Sequence, residues 1–524
     1  MDPPMDAIYV TPGYGQVKNI QEAINLATPG TKILVSPGLY SRQIKVTKPG
    51  LTIEAMEING EVQLSINSGP LVLIDLQPEE TCTLRGFKFI HRGEKQDHDE
   101  ENWSKNIQIS DQMNCTLLIL GGTVTAEDCQ ITLGSIKSPM VALIVQESQL
   151  NLSHCEIKGN EEVGSIGMLC KNSVVNMHSC KVFRHKNGGI IVDNRPNHST
   201  LISECAIINN CEFGVLCKNQ DAVSIIQHNK IMQNEGPGVM VIDGNLSKIK
   251  ENEIKYNEVG IEVMDSSPLV IKNKIRCNFG NGIIARTVNY NSTIKISGNQ
   301  IYENENGICL NGDKLRAARE DNPFIGNNRK AGIRLEESAE ADILGNDIYE
   351  NICQGVLLVT NTSATIERNR IYGNLRANIA LGLGKTRIQE NRIYKGRCEG
   401  IFLFESINCL IMSNEIYENN DGILAVDGSI EINSNSIHDN KRTGITLAGN
   451  GECQLAENEV FRNNACGFNI RDMVFANLVG NKGFENPIQI CILSKKQFDI
   501  PALKKNNEWK GEVQIPLPSY CLLL

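Results

Sequence analysis

The sequence predicts an all-β fold of stacked three-strand coils, each of about 23 residues, behind an N-terminal capping helix. Three observations predict this class. The motif Asn-x-Ile-x-x-Asn, followed by Gly-Ile or Gly-Val, returns every 21 to 26 residues. Aliphatic residues flank its first asparagine, and neither the frame of a leucine-rich repeat nor a helical period is present. Because each repeat extends one continuous core, we expect a single parallel β-helix rather than several domains.

The first asparagine of each motif is predicted to form a ladder, because every slot of a coil becomes a row in the stack and stacked amides hydrogen-bond to one another. Four cysteines hold the same slot upstream, and we interpret them as small apolar members of the row. Thiols one coil apart do not by themselves complete a tetrahedral site, so neither a metal nor a cofactor is predicted. The row consists of Cys129, Cys155, Cys180, Cys205, Asn229, Asn252, Asn273, Asn299, Asn322, Asn346, Asn369, Asn391, Asn414, Asn435, Asn458 and Asn481.

Each coil has an aliphatic residue three positions before the asparagine and another apolar residue two positions after it, as in Ile226 and Ile231 around Asn229. We therefore expect one strand to end before the asparagine and another to begin after it, with Phe324 as the inward residue of its coil. A glycine follows eight to ten residues after the asparagine, and Asn378 replaces it in one coil. Glycine and asparagine tolerate left-handed backbone, which we expect at this slot.

The predicted organisation has four parts. Residues 1–17 form a lead-in. Residues 18–128 contain the capping helix and the first coils, with an exposed acidic loop at 92–106. Residues 129–490 form the regular coils, and residues 491–524 form a tail.

The capping helix is predicted over residues 17–30. Ile20, Ala23, Ile24 and Ala27 share one face of this segment, and a Pro-Gly pair ends it. A helix at this position would cover the apolar end of the first coil.

Composition and charge exclude some classes of function. A net charge of −10 and a pI near 5.5, without a basic stripe, predict no nucleic-acid partner. We find no secretory signal and no apolar run of membrane-spanning length, and the 18 cysteines form no CxxC pair. These features predict a cytoplasmic protein with reduced thiols.

An aromatic stripe is predicted three residues after the ladder asparagine. Because the preceding isoleucine points inward, these rings should point outward. The stripe has two interpretations, packing on a sheet face and a binding surface. Its members are Tyr302, Tyr349, Tyr372, Tyr394 and Tyr417, with His438 and Phe461 continuing the slot.

A row of carboxylates stands five residues after the coil glycine. Neighbouring coils would bring two of them to about 5 Å, the separation that a retaining glycosidase uses. Their spread along the whole array favours a turn preference instead, so no catalytic residue is predicted. The row contains Asp243, Asp265, Glu337, Glu405, Asp427 and Asp472.

The last four residues, Cys521-Leu522-Leu523-Leu524, have the form of a prenylation motif. This pattern predicts lipidation of Cys521 and peripheral membrane association. The alternative is an apolar tail in which a cysteine holds that position by chance.

The segments "IQEAINLA", "KILVSPGLYSRQIKV" and "GLTIEA", together with the repeated motif, resemble right-handed parallel β-helix proteins of the pectate-lyase-like class, over roughly residues 7 to 490. The chain is most similar to the repeats shared by carbohydrate-binding proteins and sugar hydrolases. It also resembles the β-helix portion of F-box-only proteins, which are substrate receptors in ubiquitin ligases. It lacks the Asn-Thr-Asp and Gly-His-Gly pair of polygalacturonases and the Gly-x-x-x-Gln-Asp of pectin methylesterases.

Two functions are consistent with these patterns. The first is a non-catalytic cytosolic scaffold for protein partners, such as a substrate-recognition or adaptor subunit in ubiquitin-ligase-type or cytoskeletal assemblies, with a possible prenyl anchor. The alternative is a protein that binds a polysaccharide or cleaves it as a lyase or hydrolase. The absence of a concentrated catalytic constellation favours the scaffold.

Overall fold

The part of the chain that the computed structural model describes comprises residues 7–12, 17–57, 62–93, 107–288, 291–312, 315–359 and 361–515, with 315–320 and 407 as backbone only. Much of the predicted lead-in, most of the predicted loop at 92–106, and Cys521 with its C-terminal motif lie outside the described residues. The roles assigned to them stay predictions.

The chain forms two compact units, Met1–Leu269 and Val270–Leu524, here unit 1 and unit 2. In each unit, three strands per coil pair in parallel with the equivalent strands of neighbouring coils. The first strand follows the coil glycine, the second precedes the ladder position, and the third follows it. This architecture confirms the predicted all-β class of three-strand parallel β-helix coils.

The strands of unit 1 form three rows. The first strands are Ile44–Val46, Pro70–Asp75, Cys115–Leu120, Met140–Gln146, Ser165–Lys171, Ile190–Asp193, Val215–Lys218, Val239–Val241 and Ile261–Met264. The second strands are Ala7–Val10, Lys32–Val35, Leu51–Ala55, Thr81–Arg85, Thr123–Glu127, Gln149–Ser153, Val174–His178, Thr200–Ser203, Ser224–Gln227 and Lys248–Lys250. The third strands are Gly38–Tyr40, Val62–Ile66, Lys88–His91, Gln130–Leu133, Glu156–Lys158, Lys181–Phe183, Ala206–Ile208, Lys230–Met232 and Glu253–Lys255.

Unit 2 repeats the three rows, and the strand Leu269–Ile271 contains the boundary between the units. The first strands are Ile283–Arg286, Ile308–Asn311, Ile333–Glu336, Val356–Leu358, Ile379–Leu381, Ile445–Ala448, Ile488–Ser494 and Val513–Gln514. The second strands are Ser292–Ser297, Leu315–Glu320, Glu340–Leu344, Ser363–Glu367, Thr386–Gln389 and Asn450–Ala456. Three long strands run from the first row into the second: Ile401–Met412, Ile423–Asn433 and Cys466–Val479. The third strands are Lys274–Arg276, Gln300–Tyr302, Phe324–Gly326, Asp347–Tyr349, Arg370–Tyr372, Arg392–Tyr394, Glu415–Tyr417, Ser436–His438, Glu459–Phe461, Lys482–Phe484 and Glu508–Lys510.

The capping helix is shorter than predicted and spans Ile20–Leu26. Asn19 Oδ1 accepts a hydrogen bond from Glu22 N at 2.8 Å and so begins the helix, and Ala27 already has extended backbone. Ile20 and Ala23 are buried, as predicted from their shared face.

A second helix, Ile500–Lys505, lies in the stretch predicted to be a tail. Asp499 Oδ1 caps it by accepting from Ala502 N at 3.0 Å. The strands Glu508–Lys510 and Val513–Gln514 follow it and pair with earlier coil strands. Neither helix of the described chain is long and apolar enough to cross a membrane.

Inward aliphatic side chains form continuous rows along the core of each unit. In unit 2 the third strands contribute Ile301, Ile325 and Ile348, all fully buried. The prediction that Phe324 points inward is wrong. Pro323 adds one residue after the ladder asparagine, so Phe324 pairs with Gln300 and lies on the outer face, because side chains alternate along a strand.

The expectation of left-handed backbone at the coil glycines is also wrong. Neither these glycines nor Asn378 has a positive φ. A Cβ on Gly422 would lie 2.4 Å from Gly444 O and 2.7 Å from Ile437 Cγ2, so close approach of the next coil is what requires glycine. Left-handed backbone occurs instead just before the ladder asparagine, for example at His228 with φ 56°.

Candidate functional site

The structure places the motif asparagines in a buried amide ladder within each unit. In unit 1, Asn229 Nδ2 donates to Asn252 Oδ1 at 3.0 Å and to Ile202 O at 2.9 Å. In unit 2 the same amide-to-amide bonds connect successive coils from Asn273 to Asn481, and Asn507 extends the row at 3.0 Å. Each amide is satisfied inside the stack, so this row is structural rather than ligand-binding.

The cysteines continue the row in unit 1. Cys155 Sγ accepts from Cys129 N at 3.3 Å, and Cys180 Sγ accepts from Cys155 N at 3.4 Å. The row joins the amides where Cys205 N donates to Asn229 Oδ1 at 2.8 Å. Within the described residues no group of three or more His, Cys, Asp or Glu side chains could hold a metal ion.

The second asparagine of the motif forms a ladder of its own, which the sequence analysis did not anticipate although the motif contains it. In unit 1, Asn210 Nδ2 donates to Asn234 Oδ1 at 3.1 Å, and Asn234 Nδ2 donates to Asn257 Oδ1 at 2.8 Å. His185 holds the same slot one coil earlier, and its backbone N–H donates to Asn210 Oδ1 at 3.2 Å.

The predicted aromatic stripe of unit 2 is a stacked column. The ring centroids of Tyr349, Tyr372, Tyr394 and Tyr417 follow one another at 4.8, 4.8 and 5.0 Å, with interplanar angles of 7°, 9° and 1°. Because each ring face lies against its neighbour, the column turns ring edges, not faces, towards solvent. A sugar ring therefore cannot stack on these tyrosines face to face, and their role as a binding surface stays a prediction.

Phe324 connects Tyr302 to this column. Its ring centroid lies 4.8 Å from that of Tyr302 and 5.0 Å from that of Tyr349, and the ring fills the space beside Gly326. The column continues through His438, Phe461 and Phe484.

The acidic turn residues all have left-handed backbone, with φ between 48° and 63°; they are Asp243, Asp265, Glu337, Glu405, Asp427 and Asp472. Two of them bind backbone amides of the turn beside them. Asp427 Oδ1 accepts from Asn450 N at 2.7 Å, and Asp472 Oδ2 accepts from Gly449 N at 3.0 Å. These contacts are those of turn-forming residues.

Unit 1 has a groove of about 770 Å³ on the outer face of the third strands, here the basic groove. Four consecutive third strands form its floor, with Lys88 paired to Gln130, Gln130 to Glu156, and Glu156 to Lys181. Four coils span about 14 Å at the ~4.8 Å spacing of neighbouring strands. The groove therefore suits an elongated ligand.

The lining of the basic groove is cationic. Among the described lining residues, Lys88, Arg92, Lys137 and Lys158 stand with one carboxylate, Glu156. Their formal charge is +3, in a chain whose net charge is −10. None of the four cations has a carboxylate partner within the described part of the chain. The remaining lining is polar or apolar: Asn67, Ile90, Gly93, Gln130, Thr132, Gly134, Ser135 and Phe183.

A buried histidine holds one rim of the basic groove. His91 Nε2 lies 2.8 Å from Gly69 O, and Gly93 N donates to His91 Nδ1 at 3.0 Å. Both contacts are satisfied by the neutral ring protonated at Nε2, and burial lowers the pKa of His91, which favours that form. The neutral ring thereby fixes the turn that carries Arg92.

No sequence motif reveals the basic groove, because its charges come from separate coils and no single coil concentrates them. A signal was nevertheless present. The slot that carries tyrosines in unit 2 holds Ile90, Thr132, Lys158 and Phe183 in this part of unit 1. The residues in this slot therefore distinguish the aromatic column of unit 2 from the basic groove of unit 1.

Three solved structures illustrate what this chain is similar to. Pectin methylesterase PemA from Erwinia chrysanthemi is 11% identical, with 51% of this chain and 90% of that chain covered and a TM-score of 0.28. The periplasmic alginate epimerase AlgG is 13% identical, with 93% and 85% covered and a TM-score of 0.23. DFA-IIIase from Arthrobacter chlorophenolicus A6 is 12% identical, with 69% and 93% covered and a TM-score of 0.30. At these values the similarities say nothing about what this chain binds.

A search of curated proteins finds no match to this sequence. The family model described as the right handed beta helix region matches residues 189–338 and 331–482. The two matches together cover more than half of the chain, and both ranges lie in the coils of the structure. The chain therefore belongs to the right-handed β-helix family.

Proposed function

We propose that this protein binds carbohydrate and that the basic groove of unit 1 holds an acidic oligosaccharide. The observation that carries the proposal is a set of four cations that have no carboxylate partner among the described residues and that line one groove of an otherwise acidic protein. Cations that the fold does not pair keep their hydrogen-bonding capacity for a carboxylated ligand.

The rest of the lining fits a sugar chain. Gln130 and Thr132 offer amide and hydroxyl groups to ligand hydroxyls, and Ile90 and Phe183 offer apolar surface to the carbon-bound faces of sugar rings. A volume of about 770 Å³ lies within the range of ligand sites, roughly 300 to 1,000 Å³.

Binding, rather than hydrolysis, is the activity that this groove supports. Glycoside hydrolysis ordinarily needs two carboxyl groups on either side of the bond. Glu156 is the sole carboxylate among the lining residues that the structure describes.

Calorimetric titration with a galacturonate hexasaccharide tests the proposal, with neutral cellohexaose as the comparison ligand. We expect the uronate to bind and the combined variant Lys88→Gln/Lys158→Gln to weaken binding at least about tenfold, because a hydrogen bond to a charged group contributes roughly 1.5–3 kcal/mol. Raising the salt concentration from about 50 mM to about 500 mM should lower the uronate affinity of the wild type by a larger factor than that of the variant.

Lys230→Gln is the matched control. Lys230 is exposed on the same row of third strands but does not line the groove. Equal uronate affinity of the wild type and the Lys88/Lys158 variant would contradict the proposal. So would a loss of cellohexaose binding in that variant as large as its loss of uronate binding.

The scaffold function for protein partners and the resemblance to F-box-only receptors stay predictions. The edge-on aromatic column is the surface that such a partner would contact. Affinity purification with mass spectrometry, comparing the wild type with Tyr372→Ala/Tyr394→Ala, tests it. Partners recovered equally with both proteins would exclude the column as the contact surface.

A further inference from the structure

A second groove of about 770 Å³ lies on the outer face of the second strands in unit 2, here the mixed groove. Its floor is formed by the strands Glu340–Leu344, Ser363–Glu367 and Thr386–Gln389 and by the second half of Ile401–Met412, paired in register. The lining combines polar residues with three apolar ones, Ala341, Ala364 and Leu410. The polar residues are Thr293, Glu340, Asp342, Ser363, Thr365, Lys385, Thr386, Arg387 and Asn408.

A carboxylate, a hydroxyl and a guanidinium follow one another across the centre of this groove. Asp342 pairs with Thr365 and Thr365 with Arg387, so the three side chains rise from consecutive coils on one face. Asp342 and Arg387 are two strand spacings apart, about 10 Å. That separation is too long for an ion pair, and neither residue has an ion-pair partner within the described residues of unit 2.

One contact on its own strand and one on the next strand hold the Arg387 guanidinium. Arg387 Nε donates to Gln389 Oε1, and its Nη2 lies 3.4 Å from Met412 Sδ. A guanidinium has five N–H donors, so these contacts leave donors for a ligand. Asp342 is exposed and keeps its acceptor oxygens.

At the centre of the mixed groove, Asp342 and Arg387 carry charges of opposite sign. A charged ligand that spans them would gain from one of these side chains and lose to the other. An uncharged ligand with many hydroxyl groups can instead donate to the carboxylate of Asp342 and accept from the guanidinium of Arg387.

We propose that the mixed groove is a second saccharide site and that it takes an uncharged oligosaccharide. Thr365 lies between the two charged side chains and can both donate to and accept from the hydroxyl groups of the ligand. The inference goes beyond the acidic ligand of the basic groove and depends on different residues in a different unit.

The test is calorimetric titration of the full chain with three neutral probes: cellohexaose, xylohexaose and maltohexaose. We expect at least one of them to bind, and Asp342→Asn and Arg387→Gln each to weaken its binding about tenfold. Glu431→Gln is the matched control, because Glu431 is an exposed carboxylate in the same row of side chains but outside the lining.

The Lys88→Gln/Lys158→Gln variant separates this proposal from the first one. It should lose the uronate and keep the neutral hexasaccharide. The proposal is overturned if none of the three neutral probes binds, or if binding survives both Asp342→Asn and Arg387→Gln. It is overturned equally if the Lys88/Lys158 variant abolishes binding of the neutral ligand.

Discussion

The side chain of Asn378 fills the gap that Gly396 leaves in the second asparagine ladder. Asn378 Nδ2 donates to Asn419 Oδ1 at 2.9 Å, and its Oδ1 accepts from Asn374 Nδ2 at 2.7 Å. One coil thus has asparagine where the others have glycine, and the next has glycine where the others have asparagine. The two exceptions complete a single row of amides.

This relationship predicts a rescue in unit 2. Asn378→Gly should lower the free energy of unfolding by about 1–3 kcal/mol, because it leaves the buried Asn374 amide without its acceptor. Gly396→Asn alone should also destabilise the protein, because a Cβ there lies 2.8 Å from Asn378 Nδ2. The double variant should recover most of the loss, because it restores the regular pattern. Urea unfolding gives the free energy of unfolding of the wild type, the two single variants and the double variant. A double variant that loses the sum of the two single losses would refute the compensation.

The coil glycines are predicted to be irreplaceable for steric reasons. Gly422→Ala should cost about 1–3 kcal/mol, because its Cβ would press on the carbonyl oxygen of Gly444. Gly382→Ala is the control. The nearest atom to a Cβ there is Phe404 O at 3.9 Å, so we expect a change within about 0.5 kcal/mol. Equal melting temperatures for the two variants would contradict this explanation.

A buried histidine makes the stability of unit 1 depend on pH. Burial lowers the pKa of His185 from its ordinary 6.5 to about 4, so the unfolded chain takes up a proton at higher pH than the folded chain does. The contribution of His185 to the free energy of unfolding is therefore fully present above pH 6.5. It decreases by about 3 kcal/mol as the pH falls to 4.

His185→Asn should remove this dependence, since asparagine is the residue that holds the slot in the following coils. The measurement is urea unfolding of both proteins at several pH values between 4 and 7. As the pH falls, the free energy of unfolding should decrease more in the wild type than in the variant. A difference that does not change with pH would exclude His185 as the source.

The aromatic column is predicted to stabilise unit 2 through ring stacking. Tyr417 lies 5.0 Å from Tyr394 and 5.2 Å from His438, centroid to centroid. Tyr417→Ala should cost about 1–3 kcal/mol, since two aromatic pairs at roughly 0.5–1.5 kcal/mol each are lost. Tyr417→Phe keeps both pairs and should stay within about 0.5 kcal/mol of the wild type in urea unfolding. A loss in Tyr417→Phe as large as in Tyr417→Ala would show that the hydroxyl, not the ring, matters.

The sequence predicted the coil class and the positions of the ladder asparagines, because both follow from one repeating slot. It failed at Phe324 because Pro323 lengthens one corner by a residue, and a single added residue reverses which side chain faces the core. It misjudged the coil glycines because their requirement comes from the adjacent coil, which a single repeat does not contain.

Periodicity by itself determined the β-helix, its aliphatic core and the candidate rows, since a residue's slot within a coil sets which side of the strand it faces. Only the tertiary structure decided which rows are occupied by contacts within the protein and which can still contact a ligand. The tyrosine faces are occupied by one another, and the motif asparagines bind one another. The cations of the basic groove have no ion-pair partner within the described residues, and neither do Asp342 and Arg387 of the mixed groove. Contacts between coils decide this availability, and such contacts depend on how side chains from different repeats meet in space.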